Sequence, residues 1–174
     1  EIADGDWSSD VCSSDLSDVA HVIFRPTTVF GDGDEIVPFV KTVAPPYVTP
    51  LPGGGKTRFQ LIWIGDMVPM LADAVADERH VGETYEIGGP DVLTLAQIAQ
   101  MVHRADGRSS ITIPVPMALA GIGMTIGQYV PLFPFGPAQY RSLQMDLVTE
   151  DNDLDAFGVA PADLRTFADY LGVS

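Results

Sequence analysis

The chain has 174 residues, 46% of them hydrophobic, which is enough for one domain with a sizeable core. Its formal net charge of -15 argues against nucleic acid as a partner. The acids are spread along the chain rather than gathered in a tail, the solvated acidic surface that salt-adapted proteins carry in a high-salt cytoplasm.

Residues 1–16 differ from the rest. Asp6 to Leu16 has neither helical nor strand period and resembles the frame translation of a sequencing-library adapter, the alternative being a natural disordered leader. The lone cysteine, Cys12, and Trp7 fall within it, so no disulfide and no thiol nucleophile is expected. The genuine chain is expected to start near Ser17, and residues 17–174 form the domain. No secretory signal is visible.

Val22-Ile23-Phe24 is a short apolar run ending at Arg25-Pro26, the pattern of a strand buried on both faces of a parallel sheet. Ligands of open α/β sheets bind beyond the carboxyl ends of such strands, which makes Arg25, Pro26, Thr27, Thr28, Val29 and Phe30 candidates for a pocket wall. The plainer reading is a salt-bridged arginine and a strand-ending proline. Gly31-Asp32-Gly33-Asp34 then turns the chain, and Ile36, Val37, Phe39, Val40 and Val43 predict a short helix with Pro38 in its first turn, stopped by Pro45-Pro46.

Gly53-Gly54-Gly55 predicts a flexible hairpin turn, followed by an apolar strand from Phe59 to Ile64 and a helix from Met67 to Val75, capped by Asp66 and with Pro69 in its first turn. Lys56 and Arg58 stand where turn becomes strand, placed to meet an anionic ligand. Gly82 to Ile87 alternates polar and apolar residues, so it reads as a strand, ended by Gly88-Gly89-Pro90. Thr94 and Gln97 have capping-box spacing before the apolar stripe of Leu95, Ile98, Met101, Val102 and Ala105. Ser110 to Val115 is another strand.

From Ser109 to Tyr140 there is no charged residue. Pro116 and Pro131 bound a helix too short for the ~20 apolar residues of a membrane span, so a buried or surface-lying apolar helix is expected. Further helices are predicted from Pro137 to Leu147 and from Pro161 to Leu171, the latter with Pro161 at its first position and Gly172 past its end.

The short motifs are incomplete. Gly53 to Thr57 looks like a phosphate loop, but Pro50 stands where its first glycine belongs. Gly31-Asp32-Gly33 opens like a dinucleotide fingerprint with Ile36 in place of the third glycine. Asp151, Asp153 and Asp155 begin a calcium-loop spacing, yet Ala156 and Ala162 replace the required glycine and acid, leaving a solvated acidic loop. His21, His80 and His103 are isolated, and Tyr85, Tyr129, Tyr140 and Tyr170 have no lysine four residues on.

The order of motifs resembles the C-terminal half of extended and atypical short-chain dehydrogenases. It runs from Arg25-Pro26 with Val29-Phe30-Gly31, through Thr57-Arg58-Phe59-Gln60 with Ile64-Gly65-Asp66-Met67-Val68, to Gly82-Glu83-Thr84-Tyr85-Glu86-Ile87-Gly88-Gly89-Pro90. Within that superfamily it is most similar to the NAD(P)-binding group of the accessory alpha subunit nine of respiratory complex I, with the acidic cast of a haloarchaeal member. The resemblance implies an α/β fold: the C-terminal part of a Rossmann-type parallel sheet with a small α/β substrate lobe, truncated, with its glycine fingerprint upstream. It implies NAD or NADP as cofactor, residues 25–30 at its nicotinamide end, and Lys56, Arg58 and Gln60 on the substrate side, Arg58 facing a diphosphate. It also implies a cytoplasmic protein, peripheral to the membrane if it serves a respiratory complex. A redox or epimerase enzyme on a nucleotide-linked substrate and a nonfunctional fragment are the competing readings.

Overall fold

The computed structural model describes residues 20–34, 36–43, 47–116 and 145–173. The chain enters on β1, Ile23–Pro26, bends at Thr27 and continues as β2, Thr28–Phe30. Then come α1, Ile36–Val43, β3, Tyr47–Pro52, and β4, Arg58–Trp63, which runs without a loop into α2, Ile64–Ala76. β5, Thr84–Ile87, and β6, Asp91–Thr94, lead into α3, Leu95–Ala105, and β7, Ser110–Val115. Two short 3-10 turns, Asp153–Phe157 and Pro161–Asp163, precede the last helix, α4, Phe167–Leu171.

The strands pair as β1-β5, β2-β4-β6 and β3-β7, all parallel except β4 with β6. This is an α/β architecture with parallel sheets, as the run of short apolar strands and amphipathic helices leads one to expect. Leu61 and Ile62, at the centre of β4, are almost fully buried because β4 has neighbours on both edges and helices over its faces. One core cluster gathers Phe30, Leu51, Leu61, Ile98 and Phe167, and a second gathers Ile62, Met67, Met70, Ile87 and Leu154.

Several local expectations change. β1 is only half-buried, with Arg25 and Pro26 inside the strand rather than after it. Among the described residues its one strand neighbour is β5, and a proline, which lacks an N–H, is tolerated on an edge. The glycine turn is not a hairpin, since β3 pairs with β7 while β4 pairs with β2 and β6. Gly53, Gly54 and Gly55 all have positive φ, 59°, 74° and 66°, and carry the chain from one sheet to another.

α2 starts three residues earlier than the capping argument places it, at Ile64, with Trp63 as its N-cap and no side-chain cap. Asp66 instead turns its carboxylate to the Arg165 N–H at 2.7 Å, and Pro69 falls in the second turn. The expected helix over 161–171 is broken: Leu164 and Thr166 are extended, and Thr166 restarts the helix by accepting the Asp169 N–H at 3.0 Å. The helix expected between Pro116 and Pro131 lies outside the described residues, as does most of that over 137–147. The described end of the latter is not helical, because Leu147 bridges to Phe59 of β4.

Other expectations hold. α1 spans Ile36–Val43, aided by the Asp34 carboxylate, which accepts from Val37 N–H at 3.1 Å. The Thr94–Gln97 capping box forms with both reciprocal bonds. Among the described residues no helix is long and apolar enough to cross a membrane.

Candidate functional site

The carboxyl ends of the parallel strands β1 and β5 lie side by side: Pro26 pairs with Ile87, and the Thr27 N–H donates to the Ile87 carbonyl at 2.9 Å. From this point β2 swings away to pair with β4, Thr28 opposite Leu61. The bend at Thr27 is therefore a switch between two sheets, the place where an open α/β fold leaves a crevice for a ligand. Gln60 belongs to the same place. Its Nε2 donates to the Gly89 carbonyl at 2.9 Å, and its Oε1 accepts the Thr149 N–H at 3.1 Å.

Of the expected site residues, Arg25, Pro26, Thr27 and Thr28 gather at this junction with Gln60 beside them. Val29 and Phe30 run on along β2, and Phe30 packs edge-on to Phe167 in the core, ring centroids 5.2 Å apart. Lys56 is exposed where the glycine turn meets β4. Arg25 and Lys56 make no ion pair among the described residues. Arg58 is held otherwise: Asp146 takes its main-chain N–H at 2.8 Å and its Nε–H at 2.9 Å. Those two bonds, main chain first, hold the Asp146 carboxyl below the usual carboxylate range, so the pairing is lost only as pH falls through that lowered value.

Sequence reasoning missed a strap. Residues 146–153 run along β4 and β5, the Leu147 N–H donating to Arg58 O at 2.8 Å and the Gln60 N–H to Leu147 O at 2.9 Å. Thr149 donates its hydroxyl to Glu86, Asn152 exchanges two 3.0 Å bonds with Gly88, and Asp153 accepts the Glu86 N–H at 2.7 Å. The acidic loop expected to be merely solvated is thus partly internal bonding for β5. The only hint in the sequence is the run Asp151-Asn152-Asp153, side chains that bond readily to backbone groups.

Four N–H groups of the two glycine-rich stretches are engaged. Gly53, Gly54 and Gly55 donate to Val115, Leu51 and Pro52 carbonyls at 2.9, 3.0 and 2.9 Å. In the turn after β2 the Asp34 carboxylate accepts the Gly31 N–H at 3.0 Å, taking the place a phosphate would have. Tyr85 hydrogen-bonds the buried His80 Nδ1 at 2.7 Å, and burial, followed by the Glu83 charge, pushes its phenol upward, opposite to what a proton-abstracting tyrosine needs.

The class these features define is an α/β fold of the Rossmann-like epimerase and short-chain reductase type. Superposition matches a nucleoside-diphosphate-sugar epimerase from Staphylococcus aureus with TM-score 0.62 at 16% identity, covering 91% of this chain and 54% of that one. A triphenylmethane reductase from Citrobacter gives 0.61 at 13% identity over 90% and 53%. A human epimerase family protein with NADPH gives 0.55 at 25% identity over 89% and 46%. By sequence the chain is homologous to a particular protein, the mitochondrial NADH dehydrogenase [ubiquinone] 1 alpha subcomplex subunit 9 of Arabidopsis thaliana, 32% identical over 144 residues. That match takes in 76% of this chain and 36% of the plant subunit, so the chain spans about a third of the curated relative's length. No family model matches the chain.

Proposed function

We propose that this chain is the C-terminal part of an NAD(P)H-binding protein of the atypical short-chain dehydrogenase type that serves a respiratory NADH dehydrogenase, at the membrane periphery. The observation that carries this reading is the 32% identity to the alpha subcomplex subunit over 144 residues. The human structural neighbour holding NADPH supports the cofactor. The chain's own residues fit one end of a dinucleotide. Arg25, exposed at the carboxyl end of β1 with the Thr27 and Thr28 hydroxyls beside it, would meet the nicotinamide side, with Pro26 shaping the bend and Val29 and Phe30 backing it. Lys56, Arg58 and Gln60 would line the substrate side. The pyrophosphate needs free N–H groups at a glycine turn, and those of Gly31, Gly53, Gly54 and Gly55 are bonded internally. That cradle belongs to a preceding βα unit supplied by the rest of the protein. When bound, the dinucleotide supplies a hydride.

Calorimetric titration with NADPH tests this. The isolated chain is expected to give no specific binding, and the chain co-expressed with the dinucleotide half of a close relative to bind at micromolar concentration. Specific binding by the chain alone, or none by the complex, overturns it. In that complex Arg58→Ala should weaken an anionic ligand by about 1.5–3 kcal/mol, the worth of a charge-assisted hydrogen bond, with a small change in melting temperature. If the melting temperature falls and affinity holds, Arg58 serves only its pairing with Asp146. An oxidoreductase or epimerase acting on a nucleotide-linked substrate is the second reading, favoured by the epimerase fold, and a tyrosine-x-x-x-lysine pair in the rest of the protein would select it.

A further inference from the structure

Three enclosed polar atoms lack a hydrogen-bond partner among the described residues: His103 Nδ1, Ser110 Oγ and Thr112 Oγ1. They belong to elements packed against each other. His103 projects from α3 with 3% of its surface exposed. Its Nε2 lies 3.4 Å from the hydroxyl of Thr49 on β3, a residue with no exposed surface. Thr49 pairs with Thr112 across the parallel β3-β7 ladder, so their side chains leave the same face. Ser110 stands two residues before Thr112 and shares that face. Four polar side chains therefore lie on the facing surfaces of α3 and the β3-β7 pair, beside the buried Leu51 and Val102.

Buried polar groups are nearly always bonded, and an orphan of this kind points to a group that completes it. Hydroxyls can rotate to find partners, but the His103 ring is oriented by the Thr49 contact, and its second nitrogen faces none. The layer holds no carboxylate, lysine or arginine among the four side chains. It matches the needs of a small neutral molecule that both donates and accepts, taking about three bonds.

We propose that an ordered interior water is bound between α3 and β7, held by His103 Nδ1, Thr112 Oγ1 and Ser110 Oγ. Its role is to complete the bonding of the one polar layer that joins this helix to the strand pair. Water-selective nuclear Overhauser spectra of the full chain test it, read at the His103 ring protons and the Thr112 methyl. Direct cross-peaks from a long-lived water are expected at both positions. Oxygen-17 relaxation dispersion should count one long-lived water fewer in Thr112→Val with its circular dichroism unchanged. If that variant does not fold, the wild-type spectra decide. Absence of the cross-peaks in the wild-type chain, or an unchanged water count in a folded Thr112→Val, overturns the proposal.

Discussion

Gly89→Ala should abolish folding. A Cβ at Gly89 would lie 1.6 Å from the Leu61 carbonyl oxygen and 3.0 Å from Ile62 Cα, both backbone atoms of the central strand β4. Neither can move without breaking the β2-β4-β6 pairing, in which Leu61 faces Thr28 on one side and Asp91 on the other. The cost is one of approach, not of dihedral freedom, since Gly89 is not among the residues with positive φ. Relief would have to push the loop after β5 outward, and the Gln60 Nε2 bond to the Gly89 carbonyl would go with it. Removing such a buried bond while displacing a core strand costs several kcal/mol, comparable to the roughly 5–15 kcal/mol by which a whole domain is stable. Gly107→Ala provides the control. Its Cβ would meet nothing within 4 Å, and only the strain of φ +68° remains, about 1 kcal/mol. The measurement is a thermal melt followed by circular dichroism, with no cooperative transition expected for Gly89→Ala and a transition lowered by a few degrees for Gly107→Ala. A cooperative melt near wild type for Gly89→Ala would mean that the close approach of this loop to β4 is wrong.

How far the fold could be read depended on how local its causes are. The helix at Leu95–Ala105 was legible because the Thr94–Gln97 box and the spacing of Leu95, Ile98 and Val102 act within a few residues. β7 was legible from its run of β-branched residues between Arg108 and Pro116. By contrast β3, Tyr47–Pro52, carries two prolines and shows no alternation, so nothing local marks it as a strand; it is one because β7 pairs along it. β6 was hidden for a similar reason, as Asp91-Val92-Leu93-Thr94 is held by β4. Near the candidate site the strand Ile23–Pro26 was legible from its apolar run, although Arg25 and Pro26 lie within it rather than after it. The strap of 146–153 could not, since its meaning lies in groups some sixty to ninety residues away along the chain. Gly88-Gly89 read only as a strand ending, whereas its physical reason is the nearness of Gln60 and Leu61, a distance no sequence pattern displays.

Phe30→Ala is expected to destabilise the protein by about 3–5 kcal/mol, the usual cost of emptying a buried phenylalanine site. Phe30 ends β2 opposite Trp63 and has 1% of its surface exposed. Its ring meets Phe167 at 87° and 5.2 Å and Tyr170 at 64° and 5.3 Å, both edge-on. Aromatic pairs in this geometry add about 0.5–1.5 kcal/mol beyond area burial. Both partners come from α4, Phe167–Leu171, which at five residues is far too short to be helical by its own propensity. Its place on the sheet rests on this anchor, on the Thr166 cap, and on Tyr170, whose hydroxyl donates to Asp32 at 3.2 Å. The loss should therefore be local as well as global: amide exchange over 167–173 should rise further than the fall in overall stability accounts for. Phe30→Leu, which keeps most of the volume, should cost less than about 1.5 kcal/mol and restore protection. Differential scanning calorimetry with hydrogen exchange separates two roles for this residue. An unchanged melting temperature in Phe30→Ala, with ligand affinity lost in the assembled protein, would make the ring a pocket wall; a lowered melting temperature with exchange rising at α4 makes it the pin that fastens the last helix to β2.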